Sequence, residues 1–496
     1  MKAPVPKRRR GTVLGDNLAV SRFVPRPSGL MPVSPLLEQI LRNVARRYRL
    51  PALDEAPARL HDGHPAAVIA LSIEQARRDH ERGQAPDAAL KQTFTQALAR
   101  LIQEAMRAEQ GDPGVQAMAL RHRSVPVREY ALLAAQAEAD RRAVHAMVNA
   151  IAHPAKLERL PPGPMREGLR ALQGALAQRR WDGVREAARH LAGLPDVPGE
   201  VLPGLDRLLD TPALDHLRRQ DALTAEADVR EYLALGARSG PRPGSEAAVA
   251  EGLASRRRGD AVEAATARAM QALAGRLDRE AGLQASYRVV TSMRVPASIP
   301  ASHERAKTEW DVVLLRHAGM QGDTALWDVC LLAEAKASAD AAPTDLPRLV
   351  RGLRLLAHAD AAIAYTFETR EGRVLLRGAS LAALRTEPAE VARQVLYCCE
   401  APVEPAPRLL GAASRMQLLC APPSLEVAAA MTPGQPVDPA PLAAIWDQLP
   451  VSAHWAGVFH QYPALEQVRN LMVHPDDLHA AIQGFRSGKI VTKLSQ

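Results

Sequence analysis

The chain has 496 residues, more than one compact domain ordinarily needs, so two to four domains are expected. With 47% hydrophobic and 24% charged residues the composition excludes a disordered chain, and no apolar run is long enough for a membrane span or a secretory leader. A net charge of +8 suits a polyanionic partner, and an aromatic content of 3% leaves packing to Ala, Leu and Val, which favours helices.

Residues 1–34 are basic and Pro-rich, carry Lys7-Arg8-Arg9-Arg10, and read as a flexible tail. Residues 35–238 read as an all-helical region, because apolar residues recur three and four apart over 35–48, 86–108 and 127–151. Breaks fall at clusters such as Leu160-Pro161-Pro162-Gly163-Pro164. Ser239-Gly240-Pro241-Arg242-Pro243-Gly244-Ser245 then opens a linker assigned to residues 239–258.

The pattern changes after this linker. A helix is expected over residues 260–280, with Val262, Thr266, Ala269, Met270, Leu273 and Leu277 on one face and Gly282 at its stop. Three β-type runs follow at 287–293, 310–315 and 326–332, the last two apolar on both faces as buried central strands are. Gly319 and Gly322-Asp323 predict an antiparallel hairpin with a long turn. A second helix over 346–356 and a fourth β-type run at 362–367 complete an α-β-β-β-α-β order, in a core assigned to residues 259–385. Residues 386–496 return to a small, mainly helical region, with a helix expected at 465–473. The fold class is therefore α+β.

One constellation in the core carries chemistry. Asp311 opens the second run and Glu334 closes the third, and in an antiparallel hairpin these two ends are neighbours. Lys336 lies two positions beyond Glu334, and the period of two puts both on one face. Paired carboxylates suit a hydrated magnesium ion, with manganese as the alternative, and such an ion activates water against a phosphodiester. A neighbouring ammonium orients that water or stabilises the transition state. Only eight of the 63 Lys and Arg residues are lysines, so a lysine at the end of a buried strand invites a reason. Glu263, early in the first helix, is a further candidate ligand, and Glu309 is a spare on the Asp311 face. Arg348 and Arg351 on the second helix are spaced to hold phosphate oxygens.

Glu309-Trp310-Asp311 followed by Glu334-Ala335-Lys336, with Glu263 upstream, resembles the PD-(D/E)XK nuclease superfamily over residues 259–373, less than a quarter of the chain. The position before Asp311 is Trp310 where the family pattern has Pro. The resemblance implies a restriction-endonuclease-like core in which Asp311, Glu334 and Glu263 bind the metal and Lys336 assists catalysis. It further implies magnesium-dependent hydrolysis of nucleic acid. DNA is favoured because few aromatic side chains are present for base stacking. The helical half is then expected to position substrate or a protein partner, or to self-associate. The reading from a different class is a non-catalytic nucleic-acid- or protein-binding scaffold that keeps the fold.

The remaining candidates read as ordinary structure. His61 and His64, and His474 and His479 around Asp476-Asp477, lack a third ligand at metal spacing. Arg46-Arg47 and Arg256-Arg257-Arg258 read as solvated faces or backbone contacts to nucleic acid. Cys330, Cys398, Cys399 and Cys420 form no C-x-x-C pair, and with no leader visible a cytoplasmic location with reduced thiols is expected.

Overall fold

The computed structural model describes residues 34–50, 64–195, 197–241, 244–282, 287–402, 408–432 and 435–484. The basic tail expected at 1–34, apart from Ser34, and His61 lie outside them. The chain forms a mixed α and β structure that divides into two units. One is built from the segment ending at Leu50, from Ser255–Pro407 and from the segment beginning at Ala464; the other from Pro51–Ala254 and Arg408–Pro463. Among the described residues no helix is long and apolar enough to cross a membrane.

The second unit is helical among its described residues. Pro65–Glu81 and Ala88–Ala105 pair closely, and Val125–Ala152 runs beside Pro212–Leu223. Its core is aliphatic: Val144, Val148, Leu172, Val184, Leu191, Leu205 and Leu208 are fully buried, as an Ala- and Leu-rich sequence poor in aromatics requires. Asp87 and Asp112 cap their helices by accepting backbone N–H groups, and His64 does the same with its Nδ1 for the helix beginning at Pro65.

The first unit is organised by seven strands: β1 Tyr287–Arg294, β2 Glu309–Gln321, β3 Thr324–Lys336, β4 Ala364–Thr369, β5 Gly372–Arg377, β6 Val395–Cys399 and β7 Met472–Val473. The pairing order is β2-β1-β4-β5-β3-β6-β7, and β2 also pairs with β3. The first five strands therefore close into a ring, while β6 and β7 continue outward from β3. The centre is the β2–β3 hairpin, antiparallel from Val312↔Ala333 to Gln321↔Thr324. Along its other edge β3 is shared: Leu326 and Trp327 pair with β5, and Leu332 to Lys336 pair in parallel with β6.

The two faces of this sheet bury different helices. Val312, Leu314, Leu331, Ala333 and Leu396 pack against Ala269, Met270, Leu273 and Leu277 of the helix Glu246–Ala281, beside Leu37, Ile40 and Ile482. Val313, Leu315, Leu332, Val395 and Tyr397 face Leu346, Leu349, Leu353 and Leu356 of the helix Ala342–Ala357. Asp311, Glu334 and Lys336 share the strand parity of Val313 and Leu332, so they stand on this second face.

Several expectations are corrected. The hairpin turn is only Gly322-Asp323, with Gly322 at φ 58°, and Gly319 sits at a bulge within β2, so both strands extend to 13 residues. The residues from 246 to 258, assigned to a linker, belong to a 36-residue helix, because Glu-Ala-Ala-Val-Ala-Glu continues as a strong helix former once Ser245 is passed. The run after the second helix, β4, pairs antiparallel with β5 instead of ending the core. The strand beside Glu334 is β6, within a region expected to be mainly helical, and the helix expected at 465–473 is Gln461–Leu471 followed by β7. Pro35–Asn43, assigned to the helical region, packs into the sheet unit.

The basic pair Arg46-Arg47 is structural. Arg46 donates to the Leu471 carbonyl, Arg47 pairs with Asp477, and the Tyr48 hydroxyl lies 2.8 Å from the Cys399 carbonyl. Arg256, Arg257 and Arg258 are exposed on the long helix.

Gly352 sits where a side chain would not fit. A Cβ there would lie 2.8 Å from both Cβ and the carbonyl oxygen of Lys307. Gly352→Ala is therefore expected to destabilise the protein by about 1–3 kcal/mol, read as a lowered Tm. Gly236→Ala, on a helix with open space at that position, is expected to leave Tm unchanged or raise it.

Candidate functional site

β2 and β3 set the site. The register of their ladder begins at Val312↔Ala333, and beyond it the Asp311 carboxylate takes over, its Oδ2 accepting the Ala335 N–H at 2.8 Å. This anchors Asp311 beside Glu334. Glu334 is fully buried, with 0% exposure, against β6, where its register partner is Tyr397. Asp311 keeps 24% of its side chain exposed and Lys336 keeps 18%, so the cluster opens toward solvent on one side only.

The arrangement includes residues that periodicity did not reveal. Lys307, in the segment before β2, has only 7% of its side chain exposed and brings its Nζ to 2.6 Å from Glu334 Oε2 and 3.7 Å from Asp311 Oδ1. Its backbone is clamped to the helix Ala342–Ala357, since its N–H donates to the Arg348 carbonyl at 3.1 Å. Lys336 Nζ lies 3.7 Å from Glu334 Oε2 and 2.8 Å from Oδ2 of Asp345, in the first turn of that helix. The Tyr397 hydroxyl donates to the same Asp345 oxygen at 3.4 Å, and Lys336 Nζ stands 5.9 Å from the centre of the Tyr397 ring. Three acids, two ammonium groups and one phenol thus converge at one sheet end. Sequence reasoning missed Lys307, which the rarity of lysine could have flagged; Asp345 and Tyr397 gave no signal.

Other expected participants are placed differently. Glu263 reaches this end of the sheet from the long helix, close enough to feel the charges of Asp311 and Glu309, but its ion pair is with Arg370 at 3.1 Å. Glu309 pairs with Arg294 at 3.5 Å and does not replace Asp311. Arg348 and Arg351 are exposed; Arg351 Nε donates to the Arg305 carbonyl at 2.8 Å, and from this helix it is Asp345 that faces the lysines. Among the described residues no group of three or more His, Cys, Asp or Glu is placed to hold a metal ion. The expected three-carboxylate set is therefore not assembled, and Asp311 with Glu334 form a pair.

Burial dominates the electrostatics. It pushes the Glu334 carboxyl up to about 8, reinforced by the Asp311 charge and opposed by Lys307 and Lys336. Burial alone would lower Lys307, but the Glu334 and Asp311 charges outweigh it and hold the ammonium above its ordinary range. Burial also raises Tyr397, with Asp345 adding to it, so the phenol stays protonated. Lys307, 2.6 Å away, meets Glu334 as an ion pair, and among the described residues neither Glu334 oxygen accepts a hydrogen bond from any other group.

Scans against protein-family models, curated proteins and solved structures find no match to this chain.

A carboxyl whose folded pKa lies above its unfolded one binds its proton more tightly in the folded state. The stability this contributes is complete below about 4.5 and is lost as pH rises toward about 8. Thermal melts in a chelator at pH 5 and pH 8 are expected to show the wild type losing several degrees of Tm more than Glu334→Gln over this window. Equal losses in both proteins would show that Glu334 does not carry a raised pKa.

Proposed function

We propose that this protein is a divalent-metal-dependent phosphodiesterase acting on DNA, built on a PD-(D/E)XK-type core. The single observation that carries the reading is the convergence of Asp311, Glu334 and Lys336 on one face at the end of two paired strands. The long helix, the β1-β2-β3 meander, the helix Ala342–Ala357 and the parallel β6 supply the order that such a core requires, with the β4–β5 hairpin inserted before β6.

The donor set fits a hard divalent ion. Glu334 offers two buried oxygens approached only by the site's own lysines, and Asp311 keeps Oδ1 outside its bond to Ala335. Magnesium typically takes one or two carboxylates and retains its remaining waters, so a pair suffices. When bound, such an ion supplies an acidified water and neutralises charge on the scissile phosphate. Asp311 and Glu334 would hold it, with Glu334 losing its proton in the exchange. Lys336, steadied by Asp345, holds its ammonium beside Glu334, where it would donate a hydrogen bond to the nucleophile or to a non-bridging phosphate oxygen. Tyr397 donates to Asp345 and keeps that acid turned toward Lys336.

DNA is the substrate class we favour. The net charge of +8 suits a phosphate backbone, and the 3% aromatic content argues for backbone contact over base stacking. A second reading, a non-catalytic nucleic-acid- or protein-binding scaffold, is favoured by one specific observation: Lys307 already neutralises the acidic pair.

Cleavage of supercoiled and linear duplex DNA with magnesium or manganese separates the two. Glu334→Ala and Lys336→Ala are each expected to reduce the rate by about 10²-fold or more. Equal rates in all three proteins would remove the catalytic assignment. Salt-dependent binding with no cleavage in either metal would establish the scaffold.

A further inference from the structure

Lys307 occupies the position that a cation shared by Asp311 and Glu334 would take. Its ammonium bridges the two carboxylates at 3.7 and 2.6 Å, and its side chain is almost wholly withdrawn from solvent. The residue cannot retreat by moving its backbone. Its N–H donates to the Arg348 carbonyl, and its Cα, Cβ and carbonyl oxygen pack so tightly on Gly352 that a methyl group there would collide. An ion held by Asp311 Oδ1 and Glu334 Oε2 at about 2.1 Å would lie between the oxygens that the ammonium now bridges. An ammonium and a divalent ion there exclude one another, by volume and by like charge.

We propose that Lys307 is the resident cation of this site: a tethered ammonium that balances the Asp311–Glu334 pair in the metal-free protein and must be displaced by any divalent ion that binds. Displacement needs only rotation of the side chain about its own torsions. A compact ammonium suits this exchange, whereas the broader guanidinium, far commoner in this chain, would fill the space with a planar fork. The consequence is a site whose metal affinity is set by competition within the chain. The exchange rests on the reading that Asp311 and Glu334 take a divalent ion; the counter-charge role does not.

Two measurements on the full chain test it, both at one fixed pH. In chelator, thermal melts compare wild type, Lys307→Met, Glu334→Gln and the double variant. Lys307→Met is expected to lower Tm by roughly 5 °C or more, because it strands a buried carboxylate, and the added Glu334→Gln is expected to recover most of that loss. Simple additivity of the two losses would overturn the counter-charge role.

Calorimetric titration with manganese alone then compares wild type with Lys307→Met. Binding at least ten-fold tighter in the variant supports exchange. Equal or weaker binding in the variant, with wild type binding measurably, overturns exchange and leaves the metal reading standing. No binding by either protein overturns exchange together with the divalent-ion reading, while the melts still decide whether Lys307 balances Glu334.

Discussion

A carboxylate with no access to water, lying at the end of a central strand, must be matched by nearby positive charge or remain protonated. Glu334 is that group, and the surrounding structure is arranged around it. β2 brings Asp311 alongside, which worsens the repulsion, and the segment before β2 brings Lys307, which relieves it. β6 seals the far side with Tyr397, and the helix Ala342–Ala357 holds both lysines, Lys307 through the Arg348 carbonyl and Lys336 through Asp345. Removing either lysine leaves an acid with less of its balance, which links the site's chemistry to the stability of the sheet.

That arrangement was partly legible. The doubly apolar runs around Val313 and Leu331 announced buried strands, and a period of two aligned Glu334 with Lys336. The apolar stripe from Val262 to Leu277 announced the helix that covers the opposite face. All of these are local signals, read within a window of a few residues. What escaped depends on contacts between distant segments. Lys307 stands four residues before Asp311 in a stretch with no periodicity, and only the clamp from Arg348 and Gly352 aims it at Glu334. Val395-Leu396-Tyr397-Cys398-Cys399 is a short apolar run that could equally have been a helix fragment, and its pairing with residues 332–336 decides the matter. Glu263 was read from its helix position alone; Arg370, on the turn between β4 and β5, claims it instead.

The chain's preference for arginine sharpens the meaning of its lysines. Arginines serve as braces here: Arg377 pairs with Asp328, Arg77 and Arg78 grip the buried Glu74, and Arg47 holds Asp477. Their planar forks fix geometry and keep their charge under all conditions. The two lysines of the site are spherical charges on flexible stems, able to sit between oxygens and to leave. Where the sequence needs rigidity it places a guanidinium, and where the acids meet it places an ammonium.

The division of the chain has a consequence for how the protein is made. The ring of five strands is complete once residue 377 has been synthesised, and β6 follows within about twenty residues. The segment from Pro35 to Tyr48 meets its partners Leu471 and Asp477 only after more than four hundred further residues have been added. During translation the acidic cluster can therefore form while one flank of the sheet unit still waits for its closing clasp. Consolidation of that unit waits for the segment beginning at residue 464, a long-range closure that is slow compared with local helix formation.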